Sequence, residues 1–226
     1  MSEQDEFVRV DDRRGAGRQT VVTAIGLLIA WLPLCIGPVT RWFGFDSLHT
    51  GPLTQIVWNW VVTFALVAYI VRVERRSLRS IRLTMPSLKD VEWAFYAFGI
   101  AMTYSWLIGI IRPQTGNEGI ETITSMPVLA VCALIVTTAV TEEILYRGYP
   151  IERLSELTHR RWLGTTVSLV LFVLPHLTFF GFEWLLYQGF GTILLYVLYL
   201  WRRNLWVCML FHGLTNAPIL IPTVLS

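Results

Sequence analysis

Seven apolar stretches dominate this chain, and each is long enough, or nearly so, to cross a bilayer as a helix. They run 21–39, 53–73, 91–111, 126–149, 162–180, 183–200 and 205–224. About 20 mostly apolar residues, rising about 1.5 Å each, span a hydrocarbon core of about 30 Å. Composition agrees. Hydrophobic residues make up 54% of the 226 and charged residues 15%, against about 25% charged in an ordinary soluble domain. That excludes a disordered chain, a collagen-like chain and a disulfide scaffold, and it argues against a soluble enzyme. Short polar links join the stretches, 112–125 and 202–204 among them, with no internal repeat and no low-complexity segment. The expected fold is an all-α polytopic membrane helical bundle of about seven transmembrane helices. It reads as one transmembrane domain over 20–226 behind a solvated cytoplasmic tail at 1–19.

Charge sets the orientation. With the N-terminus in the cytoplasm, that side receives Arg9, Arg13, Arg14 and Arg18, then Arg72, Arg75, Arg76, Arg79, Arg82 and Lys89. It also receives Arg147, Arg153, Arg160, Arg161, Arg202 and Arg203, leaving only Arg41 and Arg112 for the other side. So uneven a division is the positive-inside pattern, and adding or losing one span would scramble it. The N-terminus mixes acids with bases and precedes a full-length apolar stretch, so it does not read as a cleaved signal peptide. A net charge of +2 carries no nucleic-acid signature, and no nucleic-acid partner is expected. Cys35, Cys132 and Cys208 each fall in an apolar stretch without Cys-x-x-Cys spacing. They read as small buried residues rather than a disulfide framework or a thiolate zinc site.

Ionisable groups inside a spanning helix cost about 2.5–3.5 kcal/mol each on insertion scales, which makes them the first candidates for function. Three spans carry them, all in the C-terminal half. The fourth span holds Thr141-Glu142-Glu143-Ile144-Leu145-Tyr146-Arg147-Gly148. Adjacent residues on a helix point about 100° apart, so the two carboxylates do different jobs. Arg147 lies one turn after Glu143 on the same face, which predicts a structural ion pair. Glu142 is left to face elsewhere, in an apolar and partly dry place that suits a general base. The fifth span holds His176 directly after Pro175, whose missing N–H kinks a helix and would aim the imidazole inward. The seventh holds His212 and Asn216 one turn apart, a pair of donors that suits a developing oxyanion. Inter-helix hydrogen bonding is the plain alternative for each histidine taken alone.

A base, a histidine and a donor pair on three helices make up what peptide-bond hydrolysis needs. Glu142, helped by His176, takes a proton from water; hydroxide attacks a carbonyl carbon; His212 and Asn216 hold the oxyanion. This predicts a Glu142 carboxylate and a His176 ring nitrogen within hydrogen-bond or one-water distance. The same residues allow a second chemistry, in which Glu142, His176 and His212 bind Zn²⁺ and leave its fourth position to water. The chain lacks His-Glu-x-x-His, so the cofactor reads as either none or zinc.

At these residues the sequence resembles the CAAX protease and bacteriocin-processing family of intramembrane endopeptidases, often called the Abi family. The family pattern is Glu-Glu-x-x-x-Arg, Phe-x-x-x-His and His-x-x-x-Asn on three membrane helices. Here it reads Glu142-Glu143-x-x-x-Arg147, Phe172-x-x-x-His176 and His212-x-x-x-Asn216, within about residues 126–220. The resemblance implies a peptidase core over that stretch, with Glu142 and His176 activating water and His212 and Asn216 stabilising the oxyanion. It leaves the family's own question, glutamate-dependent or metal-dependent, open. It also implies a bacterial cytoplasmic membrane protein whose site opens toward the cytoplasm, with the lipid bilayer and a peptide or membrane-protein substrate as partners. Two other classes compete: a non-catalytic binding, immunity or scaffold protein that retains the site, and a small transporter with a Glu/His proton relay. The first three spans carry no motif and few polar residues, which disfavours the transporter.

Overall fold

The computed structural model describes the backbone of residues 3–43 and 51–225 and the side chains of 17–36, 42–43 and 51–225. The side chains of Arg9, Arg13, Arg14 and Arg41, which enter the charge count, lie outside the described residues. All regular structure among the described residues is helical. The helices are α1 (Glu3–Ala30), α2 (Leu32–Trp42), α3 (Pro52–Arg72), α4 (Leu88–Ile111), α5 (Glu118–Thr124) and α6 (Val128–Glu142). They continue as α7 (Tyr149–Thr158), α8 (Arg161–Phe180), α9 (Trp184–Arg202), α10 (Leu205–Asn216) and α11 (Leu220–Leu225).

Six helices among the described residues are long and apolar enough to span a membrane: α3, α4, the continuous run Val128–Thr158, α8, α9 and the run Leu205–Leu225. The chain is an integral membrane protein with a polytopic helical bundle. The first expected span, 21–39, differs. It is divided at Trp31 between α1 and α2, and the apolar part of α1 covers only Gly17–Ala30. Pro33 explains the break, because it has no N–H for Ile29 and disfavours helical geometry in the residue before it. The backbone of the expected tail is helical from Glu3 onward. The fourth span, expected to stop at 149, runs on to Thr158.

Polar side chains sort the links into two ends. At one end Arg153 pairs with Glu74 at 2.6 Å, Arg76 with Glu156 at 2.6 Å and Arg202 with Asp90 at 2.7 Å. Glu152 takes both Arg82 at 2.9 Å and Arg203 at 2.6 Å. Leu205 N–H donates to Arg82 O at 2.9 Å. These contacts join the segments around 74–90, 152–156 and 202–205. Ser87 begins α4 there with a capping box. Its hydroxyl accepts the Asp90 N–H, and the Asp90 carboxylate accepts the Ser87 N–H. At the opposite end Arg112 pairs with Glu183, Asn117 Nδ2 donates to Phe180 O at 2.8 Å, and Tyr187 donates to Arg112 O at 2.7 Å. The solid core, with Leu66, Ile70, Leu145, Tyr149, Tyr199 and Leu205 fully buried, belongs to the Arg-rich half. A smaller cluster of Ile123, Val131 and Leu134 forms in the other half.

Candidate active site

The site is built on a fault in the fourth span. After Glu142 the helix widens into a π-helical turn, Glu143–Gly148, whose end is marked by Tyr149 N–H bonding Ile144 O five residues back. Such turns collect at functional sites. Pro150 gives this one a physical cause. In an α-helix residue 150 would donate to Tyr146 O; proline has no N–H, so that carbonyl is free. Ser168 of α8 takes it with its hydroxyl. Having donated there, Ser168 Oγ accepts from the Tyr196 hydroxyl at 2.9 Å. The Pro-induced gap is therefore closed by two neighbouring helices.

The widened turn sends the two carboxylates to different places. Glu143 is fully buried, and its Oε1 accepts Arg147 Nη1 at 2.5 Å and His212 Nδ1 at 2.7 Å. The Arg147 guanidinium is buried with it, between the rings of Phe172 and Tyr196, at 4.2 and 4.4 Å from their centroids. A buried charge needs both a counter-ion and a polarisable shell, and here it has a carboxylate and two aromatic faces. Glu142 turns instead to a cavity of about 1020 Å³, and its buried Oε2 has no hydrogen-bond partner. Glu143 Oε2 is unpartnered as well, so what singles Glu142 out is that its free oxygen belongs to a residue lining the cavity.

His176, His212 and Asn216 line that same cavity with Glu142. His212 Nε2 stands 3.9 Å from Glu142 Oε2. With Nδ1–H given to Glu143, the neutral ring carries its lone pair on Nε2, toward Glu142. His176 donates Nδ1–H to Phe172 O at 2.7 Å, so its Nε2 is also the lone-pair nitrogen. Its ring packs against Phe172 at 4.5 Å and Trp184 at 4.6 Å. The imidazole beside Glu142 is thus that of His212; His176 reaches the same cavity without a direct bond to the carboxylate. Asn216 gives one amide hydrogen to Thr138 Oγ1 at 3.2 Å and has a second to spare.

The donor set does not fit a zinc ion as arranged. Among the described residues no three His, Cys, Asp or Glu side chains gather closely enough to hold a metal. His176 lines the same cavity but does not gather with Glu142 and His212 into such a group.

Two features were missed from the sequence. The motif-free N-terminal helices do contribute: Trp31, Gln55 and Asn59 line the cavity, with Trp31 Nε1 buried and unpartnered and Asn59 buried. Asn59, a lone amide inside an apolar stretch, was a readable signal. Pro150 four residues after Tyr146 was another, though nothing local names Ser168 as its partner. Gln55, Gln114, Ile120 and Phe180 carry the cavity to the end opposite the Arg-rich links.

Fold and cavity together define a polytopic helical membrane protein with a carboxylate–imidazole site inside the bundle. Residues 124–218 match the family model described as type II CAAX prenyl endopeptidase Rce1-like. The match takes in all three motifs and bears out the resemblance read from them; over this segment the chain is similar to that family. That family is one of proteases, which supports peptidase activity here. No curated protein and no solved structure matches the chain.

Proposed function

We propose that the chain is a CAAX-protease-like intramembrane endopeptidase of the glutamate type, acting in a bacterial cytoplasmic membrane on a peptide or membrane-protein substrate. The observation that carries this reading is the unpartnered Glu142 Oε2 in a cavity shared with two histidines and an asparagine. Water held between Glu142 and His176 gives a proton to the carboxylate, and the hydroxide adds to the scissile carbonyl carbon. The oxygen that becomes negative is met by Asn216 Nδ2–H and by His212, whose Nε2 receives the water's proton from Glu142 and returns it to Glu142 on collapse. Glu143 supports that state of His212 from the Nδ1 side, and Arg147 holds Glu143 in place. Collapse breaks the C–N bond, and the proton on Glu142 passes to the leaving amine, so one water is consumed for each bond cut. Glu142, His176, His212 and Asn216 are the residues assigned to the chemistry, and Glu143 and Arg147 position them.

The test compares the termini of membrane proteins in cells carrying wild type or Glu142→Ala at matched expression. Termini that depend on Glu142 identify a peptidase and its substrates. Identical termini, with the variant still supporting the wild-type phenotype, favour a non-catalytic binding or immunity protein that keeps the site.

A further inference from the structure

We infer that the cavity is reached from the non-cytoplasmic side of the membrane and takes an uncharged, internal stretch of peptide. This rests on the peptidase reading for the substrate, but the side of access rests on geometry alone.

The first observation is the sorting of links into two ends. Ion pairs gather Glu74, Arg82, Asp90, Glu152, Arg153 and Arg203 at one end. Segments bearing most of the chain's Lys and Arg meet there. By the positive-inside rule this end is cytoplasmic. The second observation is where the cavity runs. Gln55 lies in the first turn of α3, Gln114 in the link after α4, Ile120 in α5 and Phe180 at the end of α8. Asn117 and Phe180, joined by a hydrogen bond, fix that end as the one opposite the ionic cluster. Gln55 and Gln114 are exposed.

The third observation is what lies beyond Glu142 toward the cytoplasm. Leu145, Tyr149 and Tyr199 are fully buried there. Tyr149 donates to Glu74 at 2.7 Å and Tyr199 to Glu152 at 2.8 Å, which ties this plug to the ionic cluster. Glu142 therefore sits at the floor of a vestibule closed on its cytoplasmic side.

The lining also selects its occupant. It contains no Lys and no Arg among the described residues, and Glu142 is its one acid. A free C-terminal carboxylate would enter without a counter-ion, and a second charge of either sign would be desolvated at high cost. Neutral amides, Gln55, Asn59, Gln114 and Gln188, line it instead. They suit the N–H and C=O groups of an unwound peptide backbone, which must find partners away from water.

Single cysteines decide the side of access. Cys35 lines the cavity and is exposed and Cys132 is half-buried, so the background carries Cys35→Ser and Cys132→Ser, and the remaining Cys208 is buried. Gln114→Cys and Arg79→Cys are placed separately in the full chain. Each is treated with a membrane-impermeant maleimide in sealed right-side-out vesicles, before and after permeabilisation. Expected is labelling of Gln114→Cys in sealed vesicles and of Arg79→Cys only after permeabilisation. The reverse pattern, or a Gln114→Cys that never labels, overturns the inference. This readout needs no enzymatic activity. If labelling follows the expected pattern but no termini depend on Glu142, the peptidase reading fails and the vestibule stands. Where such termini exist, they should fall in uncharged stretches on the non-cytoplasmic side; cuts in cytoplasmic loops would overturn the substrate assignment.

Discussion

Nδ1 of His212 stands 2.7 Å from Oε1 of Glu143, the oxygen that also accepts Arg147 at 2.5 Å. One buried carboxylate oxygen thereby couples the fourth span to the seventh. It orients the imidazole that faces Glu142. The charge of that carboxylate is compensated by a guanidinium lying between two aromatic rings, so the arrangement depends on each member being present.

Removing the cation should be severe. Arg147→Met leaves Glu143 buried with His212 as its remaining hydrogen-bond partner, and breaking a buried pair costs about 3–5 kcal/mol. Thermal unfolding in detergent should show a large drop in midpoint. Arg147→Lys should recover little, because a lysine loses the planar contact with Phe172 and Tyr196.

Glu142→Gln should separate chemistry from folding. Its Oε2 has no hydrogen bond to lose, so the unfolding midpoint should hold or rise. Cleavage should fall by about 10²–10⁴-fold, the usual contribution of a general base. A variant that unfolds as readily as Arg147→Met would refute the assignment of Glu142 to chemistry alone.

Ser168→Ala strands the Tyr146 carbonyl and the Tyr196 hydroxyl inside the bundle, at a cost of about 1–3 kcal/mol. Pro150→Ala added to it supplies an N–H that can reach Tyr146 O and should restore part of the loss. A double-mutant cycle on unfolding midpoints reads this coupling; strict additivity would show that Pro150 is not the cause of the free carbonyl.

Gly26→Ala tests the seat of α1 on α7. A Cβ there would stand 1.7 Å from the Tyr149 hydroxyl oxygen and 2.4 Å from its Cζ. Tyr149 must then move and give up Glu74, an overpacking penalty of about 1–3 kcal/mol. A lowered unfolding midpoint with the fold retained is the expected result.

Since Glu142, His176 and His212 do not gather into a group that could hold a metal, chelators should leave cleavage unchanged, measured as the Glu142-dependent termini with and without prolonged 1,10-phenanthroline treatment. Loss of those termini, restored by added zinc, would move the mechanism to a metal-bound water.

The helical class, the C-terminal spans and the residues of the three motifs are all legible along the chain. Apolar runs of bilayer length and charges confined to links are local properties, and lipid leaves few structures that satisfy a backbone. The spacing of Glu143 and Arg147 likewise placed them within reach of each other on one helix face. Tertiary structure decided what spacing cannot express. That His212 rather than His176 lies beside Glu142 depends on the relative depth and rotation of separate helices. So does the service Ser168 renders to a carbonyl freed by Pro150. The break at Trp31 and the cavity wall formed by Trp31, Gln55 and Asn59 arise where the N-terminal helices meet the motif-bearing ones. The end of the bundle toward which the cavity runs follows from which half is packed solid. These are relations between segments far apart in the chain, and no local period or motif carries them.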